Sequence, residues 1–241
     1  AALHGRECFA GLDLASTVDI AALVLVFPPL ATENYYTIVP YFFVPEDNVA
    51  ERKKRDKVDY DVWIRQGWMI ATEGKVVDYD AIRAVISGPD VLRSYAPHLE
   101  AGYHTNLKQW NVPEKGLQSV FKIREVVKDR WNSTQIGTQL QGDGFIVVDF
   151  GQGFASMTAP MKALEALLKS QEINHGGNPV LRWMASNMAA AQDAPGNLKP
   201  DREKSSEKID GIVALLMGLA RAMLTPVRKG SIYEERGLLR I

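Results

Sequence analysis

Ile20-Ala21-Ala22-Leu23-Val24-Leu25-Val26-Phe27 runs without one polar side chain and stops at Pro28-Pro29. Such a run is too short for the ~18 residues that a membrane span needs, and its proline boundary and Val/Leu/Ala content predict a buried strand. It is flanked by two more strand patterns. Glu7 to Leu14 comes before it and ends in a polar break at Ala15-Ser16-Thr17. Tyr35 to Val44, rich in Tyr, Phe, Val and Ile, follows it and closes at Pro45. Three strands joined by short links predict an antiparallel start to a mixed sheet.

After that start the chain turns helical. Asp47 to Gln66 is a charged amphipathic segment, and Asp78-Tyr79-Asp80 opens a helix through Ile86. Between Ser87 and Gly116 no period is sustained, and Gly88-Pro89, Pro97, Gly102 and Pro113 punctuate the stretch; an insertion at about 87–116 is expected there. Val120 to Val127 alternates as a strand, Ser133 to Gln141 is helical, and Phe145 to Phe150 is a further buried strand. Met157 to Ser170 predicts a helix with Pro160 near its first turn, and Asn178-Pro179 caps another. Pro195-Gly196-Asn197 turns between two short extended arms, and Ser206 to Leu224 is the last strong helix. The order predicts one α/β domain, a mixed sheet with helices on both faces.

Composition removes several functions. One cysteine, Cys8, excludes an internal disulfide framework and a multi-cysteine zinc site, and its strand setting makes it a small core residue. His4, His98, His104 and His175 are scattered, with no i, i+4 pair for a metalloprotease helix. A net charge of −1 argues against broad non-specific coating of nucleic acid, though it permits a local basic groove beside an acidic site. With no long apolar run and no secretory start at Ala1–Arg6, the chain is expected to be soluble and cytoplasmic.

Three carboxylates do not suit their surroundings. Asp13 interrupts an apolar strand, where an ionised carboxylate costs several kcal/mol unless paired or metal-bound. A strand-end cap for the Ser16-Thr17 turn is the alternative. Asp129, in Lys128-Asp129-Arg130, stands at the carboxyl end of a strand, where open α/β sheets gather ligand groups; a helix cap or a salt bridge to Arg130 is the alternative. Asp210 lies on the edge of the apolar stripe Ile209, Ile212, Val213, Leu216 and Leu219. Stabilisation of a first helical turn would account for the acid. It would not account for Gly211 beside it, which costs about 1 kcal/mol against alanine in a helix and suggests a close backbone approach.

The sequence resembles the large terminase subunits of tailed double-stranded DNA phages, on five blocks in family order. They are Gly11-Leu12-Asp13-Leu14-Ala15-Ser16 with Asp19-Ile20-Ala21-Ala22, then Lys128-Asp129-Arg130-Trp131-Asn132, then Gly151-Gln152-Gly153-Phe154 with Ser156-Met157-Thr158-Ala159-Pro160. The last two are His175-Gly176-Gly177-Asn178-Pro179-Val180-Leu181-Arg182-Trp183 and Lys204-Ser205-Ser206-Glu207-Lys208-Ile209-Asp210-Gly211. The resemblance implies an RNase H-like nuclease domain that cuts concatemeric phage DNA in the host cytoplasm. It implies Asp13, Asp129 and Asp210 as catalytic metal ligands for two divalent ions, Mg²⁺ or Mn²⁺, because that chemistry needs hard oxygen donors. It also implies double-stranded DNA, an ATPase domain, the small terminase subunit and the portal as partners. No G-x-x-x-x-G-K-[ST] motif occurs, so the chain is expected to be the nuclease half without the ATPase.

Lys128 departs from the family, which carries an aromatic before the second acid, and 87–116 is longer than the usual connection. Arg124, Lys128, Arg130, Lys204 and Lys208, near Asp129 and Asp210 in sequence, are candidate DNA contacts. The Gly151–Pro160 block and His175 are expected to be structural, and Arg52-Lys53-Lys54-Arg55 a solvated helix face. Two other functions fit the same acids: another RNase H-like phosphotransferase, such as a resolvase or integrase, and a non-catalytic module that docks on the portal or motor.

Overall fold

The computed structural model describes residues 2–14, 20–93, 97–131 and 133–224. The turn expected at Ala15-Ser16-Thr17, and with it Asp19 and Asn132, lies outside them. β1 (Glu7–Asp13), β2 (Ala21–Phe27) and β3 (Tyr36–Pro45) form the antiparallel start, pairing Leu12 with Leu23 and Val24 with Pro40. Every residue of β2 is buried, because both faces of this central strand are covered. Pro40 sits in β3 without breaking the pairing to β2.

The amphipathic segment expected at 47–66 is two helices, α1 (Val49–Asp56) and α2 (Tyr60–Arg65). Lys57 separates them, with a left-handed backbone (φ 55°) that no continuous helix accepts. β4 (Ile70–Thr72) then adds in parallel to the end of β3. α3 (Tyr79–Ser87) starts where Asp78 accepts a bond from the Asp80 amide, an N-cap that satisfies a first-turn donor.

The stretch expected to be irregular holds α4 (Pro97–Gln109). Its proline opens the helix and the buried Tyr103 and Leu107 lie one turn apart, but its apolar face is too thin to stand out as a period. Tyr103 packs with Ala81, Ala84 and Leu92 in a small satellite core.

β5 (Lys122–Asp129), α5 (Thr134–Gly142) and β6 (Val147–Phe150) complete the sheet on its other side. α6 (Phe154–Lys169) starts earlier than expected, so Pro160 lies inside it. β7 (Ile173–Asn174) pairs with the first residues of β3. α7 (Pro179–Asn187) has the expected cap, with the Asn178 side chain accepting from the Leu181 amide at 2.9 Å. β8 (Ala189–Gln192) and β9 (Leu198–Asp201) are the two extended arms, joined as a separate hairpin, and α8 (Asp210–Ala222) closes the described chain.

The sheet order is β4-β3-β2-β1-β5-β6, with β1, β5 and β6 parallel. Alternation along the strands sends Phe9 and Val127 to one core with α6, α7 and α8, and Cys8, Ala10, Leu12 and Val126 to a second core with α3 and α5. The sheet is therefore covered on both faces, as expected. Cys8 is fully buried, and burial pushes its thiol up to about 12, an inert core group. No helix of the described residues is long and apolar enough to cross a membrane.

Candidate functional site

Asp13 is the last residue of β1 and Asp129 the last of β5. The strands are parallel neighbours with Leu12 beside Lys128, so the next step along both sets the two acids side by side, strands about 4.8 Å apart. Alternation fixes the face. Asp13 shares parity with Phe9 and Gly11, and Asp129 with Val127, so both acids lie on the α8 side of the sheet.

Asp210, the first residue of α8, is brought to the same end by an unusually close packing. A Cβ on Gly11 would stand 1.8 Å from the Ala214 carbonyl oxygen, so α8 rests directly on the β1 backbone. The close approach expected at Gly211 is present, since a Cβ there would meet Phe42 at 2.6 Å and the Met184 sulfur at 2.9 Å.

Arg202, just past β9, joins two of the acids. Its Nη2 donates to Asp13 at 2.5 Å and its Nη1 to Asp210 at 2.8 Å. The other oxygen of Asp13 accepts from the Gln152 amide at 3.1 Å. Burial raises the Asp13 carboxyl most, the Arg202 charge lowers it and the Asp210 charge raises it again, leaving it at about 6. Arg202 is held above its ordinary value: burial works against its charge, and the two carboxylates outweigh that.

The donor set suits a hard divalent ion. Asp13 and Asp210 are 3% and 2% exposed and already hold a cationic group. Asp129 keeps a buried Oδ1 with no hydrogen-bond partner among the described residues. The three are nevertheless spread more widely than a single tight cluster. The only trio of candidate ligand atoms within 4.8 Å of one another, among the described residues, is Asp90, Glu100 and His104. That group is elsewhere, and Arg93 bonds to both of its acids.

The candidate basic residues separate. Arg130 is exposed, directly after Asp129, and is followed by Trp131, which is 72% exposed. Lys208 lines a cleft with Arg202, Ser206 and Asp210, and Lys204 is exposed beside Asp201. Lys128 instead points to the opposite face of the sheet, buried against Gly137 and bonded to Asp149. Arg124, near the start of β5 and 3.7 Å from Glu7, is about 16 Å along the strand from Asp129. His175 lines a cleft with Ile38, Pro40 and Trp68 rather than joining the acids.

Arg202 carries no mark in the sequence, and Gln152 lies in the Gly151–Pro160 block expected to be structural, yet its side chain reaches Asp13. Each is a polar residue in a polar turn, and only tertiary structure brings it to Asp13.

The family model for the terminase large subunit, endonuclease domain, matches residues 1–91 and 111–225. Residues 92–110, most of them in α4, lie between the matched blocks. The large terminase subunit of Enterobacteria phage HK97 is 30% identical over 232 residues, covering 95% of this chain and 40% of that protein. Protein YmfN of Escherichia coli (strain K12) is 28% identical over 230 residues, covering 92% of this chain and 44% of that protein. The chain thus spans less than half the length of these relatives. The crystal structure of the HK97 large terminase superposes with a TM-score of 0.70 at 29% identity, over 91% of this chain and 40% of that one. The sheet order and its two helical layers are those of an RNase H-like α/β fold. By sequence match and by fold, the chain belongs to the endonuclease domains of terminase large subunits.

Proposed function

We propose that this chain is a DNA endonuclease whose Asp13, Asp129 and Asp210 hold two divalent ions, Mg²⁺ or Mn²⁺, for phosphodiester hydrolysis. The observation that supports it is the position of three acids at one end of the sheet: Asp13 and Asp129 end neighbouring parallel strands, and Asp210 shares Arg202 with Asp13. Two of them are nearly fully buried, which folding tolerates only with a cationic partner. Divalent ions, when bound, supply an activated water and neutralise charge on the phosphate and the leaving oxygen.

The protein's own groups do the rest. Asp13 keeps its orientation through Gln152, and Asp210 through its place at the start of α8. Arg130, next to Asp129, Lys208, in the cleft with Asp210, and the exposed Lys204 neutralise backbone phosphates without reading bases. Lys128 and Arg124 lie outside this set. Membership of the terminase family supports double-stranded, concatemeric phage DNA as the substrate in the host cytoplasm. It also supports the ATPase part of a longer large subunit, the small subunit and the portal as partners.

The test is nicking of supercoiled plasmid beside thermal melts of the wild type and Asp210→Asn. Nicking should need Mg²⁺ or Mn²⁺ and stop in EDTA, and the Asn variant should fall to background. Mn²⁺ at a hundred times its Kd should raise the wild-type melting temperature by about 5–10 °C and the variant's far less. Without metal the variant should melt within a few degrees of wild type, because it loses a bond to Arg202 but also the repulsion between Asp13 and Asp210. Nicking in EDTA, or an equal Mn²⁺ shift in both proteins, overturns the reading.

A further inference from the structure

We propose that Arg202 is the resident counter-ion of the acid pair and competes with the divalent ion for Asp13 and Asp210, so that metal entry and withdrawal of Arg202 are one event. The inference rests on the metal-centre reading above and adds a residue to it. One guanidinium spans both carboxylates, at 2.5 Å to Asp13 and 2.8 Å to Asp210. The oxygens it occupies belong to two of the three proposed ligands. An ion sharing those oxygens would sit a few ångströms from a fixed positive charge, and in a partly buried site the repulsion is weakly screened.

The surroundings let the side chain leave. The acids are buried, but the Arg202 side chain is 46% exposed and so reaches them from the solvent side. It follows the β8–β9 hairpin, which is anchored elsewhere: the Leu198 amide donates to the Thr158 hydroxyl at 2.9 Å, and that hydroxyl donates to the Phe154 carbonyl at 2.7 Å within α6. The turn after β9 is closed on itself by the Ser205 amide on the Asp201 carbonyl at 3.0 Å. Clefts open on two sides of Arg202, one lined by Gln152, Phe154 and Lys199, the other by Ser206, Lys208 and Asp210. The guanidinium can therefore swing aside while hairpin and acids stay in place. Gln152 remains on the other oxygen of Asp13, so that ligand keeps its orientation when Arg202 departs.

The test is Mn²⁺ binding to the 241-residue chain by calorimetry, with melts confirming that each variant is folded. Arg202→Ala and Arg202→Gln should bind Mn²⁺ about tenfold tighter than wild type, because an arginine that closes the site nine-tenths of the time weakens apparent affinity by that factor. Both should melt lower than wild type in EDTA, and Arg202→Lys should bring the Mn²⁺ affinity back toward wild type. A merely structural arginine moves affinity the other way, since its loss loosens the site. Wild-type or weaker Mn²⁺ affinity in both neutral variants, with binding lost in Asp210→Asn, overturns the role of Arg202 alone. No Mn²⁺ binding by wild type or by either neutral variant overturns the metal centre along with it.

Discussion

Asp13 is an ionisable group that the fold holds by its two oxygens separately, Arg202 on one and Gln152 on the other. The Gln152 bond is the more easily tested, because it carries no charge of its own. Gln152→Ala leaves a buried carboxylate oxygen without a donor, which costs about 1–3 kcal/mol. For a chain of this size the metal-free melting temperature should drop by about 2–12 °C. Gln152→Glu should cost more, since it adds a third acid beside Asp13 and Asp210. An unchanged melt for both variants would show that the bond contributes nothing. At this scale the sequence was informative about charge and silent about partners. Asp13 stood out because an acid in an apolar strand is expensive, and Asp210 because Gly211 beside it needed a reason that Phe42 and Met184 supply. Arg202 lies far along the chain from Asp13, in a turn where an arginine costs nothing, so no local rule singles it out. Lys128 misled for the converse reason: it adjoins Asp129 in sequence, but strand alternation sends the two side chains to opposite faces.

Between elements, the contact that builds the site is α8 on β1. Gly11 and Gly218 let the two backbones meet, with a Gly218 Cβ placed 3.2 Å from the Gly11 nitrogen and 2.9 Å from Val26. Gly11→Ala would drive a methyl into the Ala214 carbonyl, and no side-chain rotation relieves a clash between backbones. We expect a loss of more than about 4 kcal/mol, seen as aggregation or a collapsed melting temperature, and Asp210 moved away from Asp13. Gly102→Ala is the contrasting case. Gly102 lies in α4, exposed, with nothing within 4 Å of an added Cβ, so alanine should stabilise by about 1 kcal/mol, or 2–4 °C. A lower melting temperature for this variant would count against a helix there. β1 and β2 were legible because burial leaves nearly uninterrupted apolar runs, and the α7 cap because Asn178-Pro179 is chemically explicit. β4 and β7, three and two residues long, were not, and β6, expected to be buried, is only half-buried. α4 was not legible, since among its described side chains only Tyr103 and Leu107 are buried, and the split of α1 from α2 turns on one left-handed residue, Lys57.

For the molecule as a whole, a net charge of −1 hides a concentration of acid at one end of the sheet, and that concentration makes stability depend on pH in an unusual direction. Burial, opposed by Arg202 and reinforced by Asp210, raises Asp13 to about 6 in the folded chain, from an ordinary value of 3.8. The folded state then holds this proton more tightly than the unfolded one. Its stabilising effect is fully present below about pH 4 and is lost as pH rises through about 6, the reverse of a carboxylate whose ion pair outweighs its burial. Asp56, Asp61 and Glu165 shift the other way, so their contributions fade only as pH falls below the ordinary carboxylate range. The contribution of Asp13 can be isolated as the difference between wild type and Asp13→Asn, melted in EDTA from about pH 4.5 to about pH 7.5. The wild type should lose stability relative to the variant across that window. Adding Mn²⁺ should reverse the trend for wild type alone, because metal and proton compete for one carboxylate and each pH unit below about 6 weakens the metal about tenfold. The metal-induced rise in melting temperature should thus be large at pH 7.5 and nearly absent at 4.5. A wild-type melt in EDTA that climbs relative to Asp13→Asn as pH rises, or a Mn²⁺ shift that ignores pH, would show that Asp13 is an ordinary paired carboxylate.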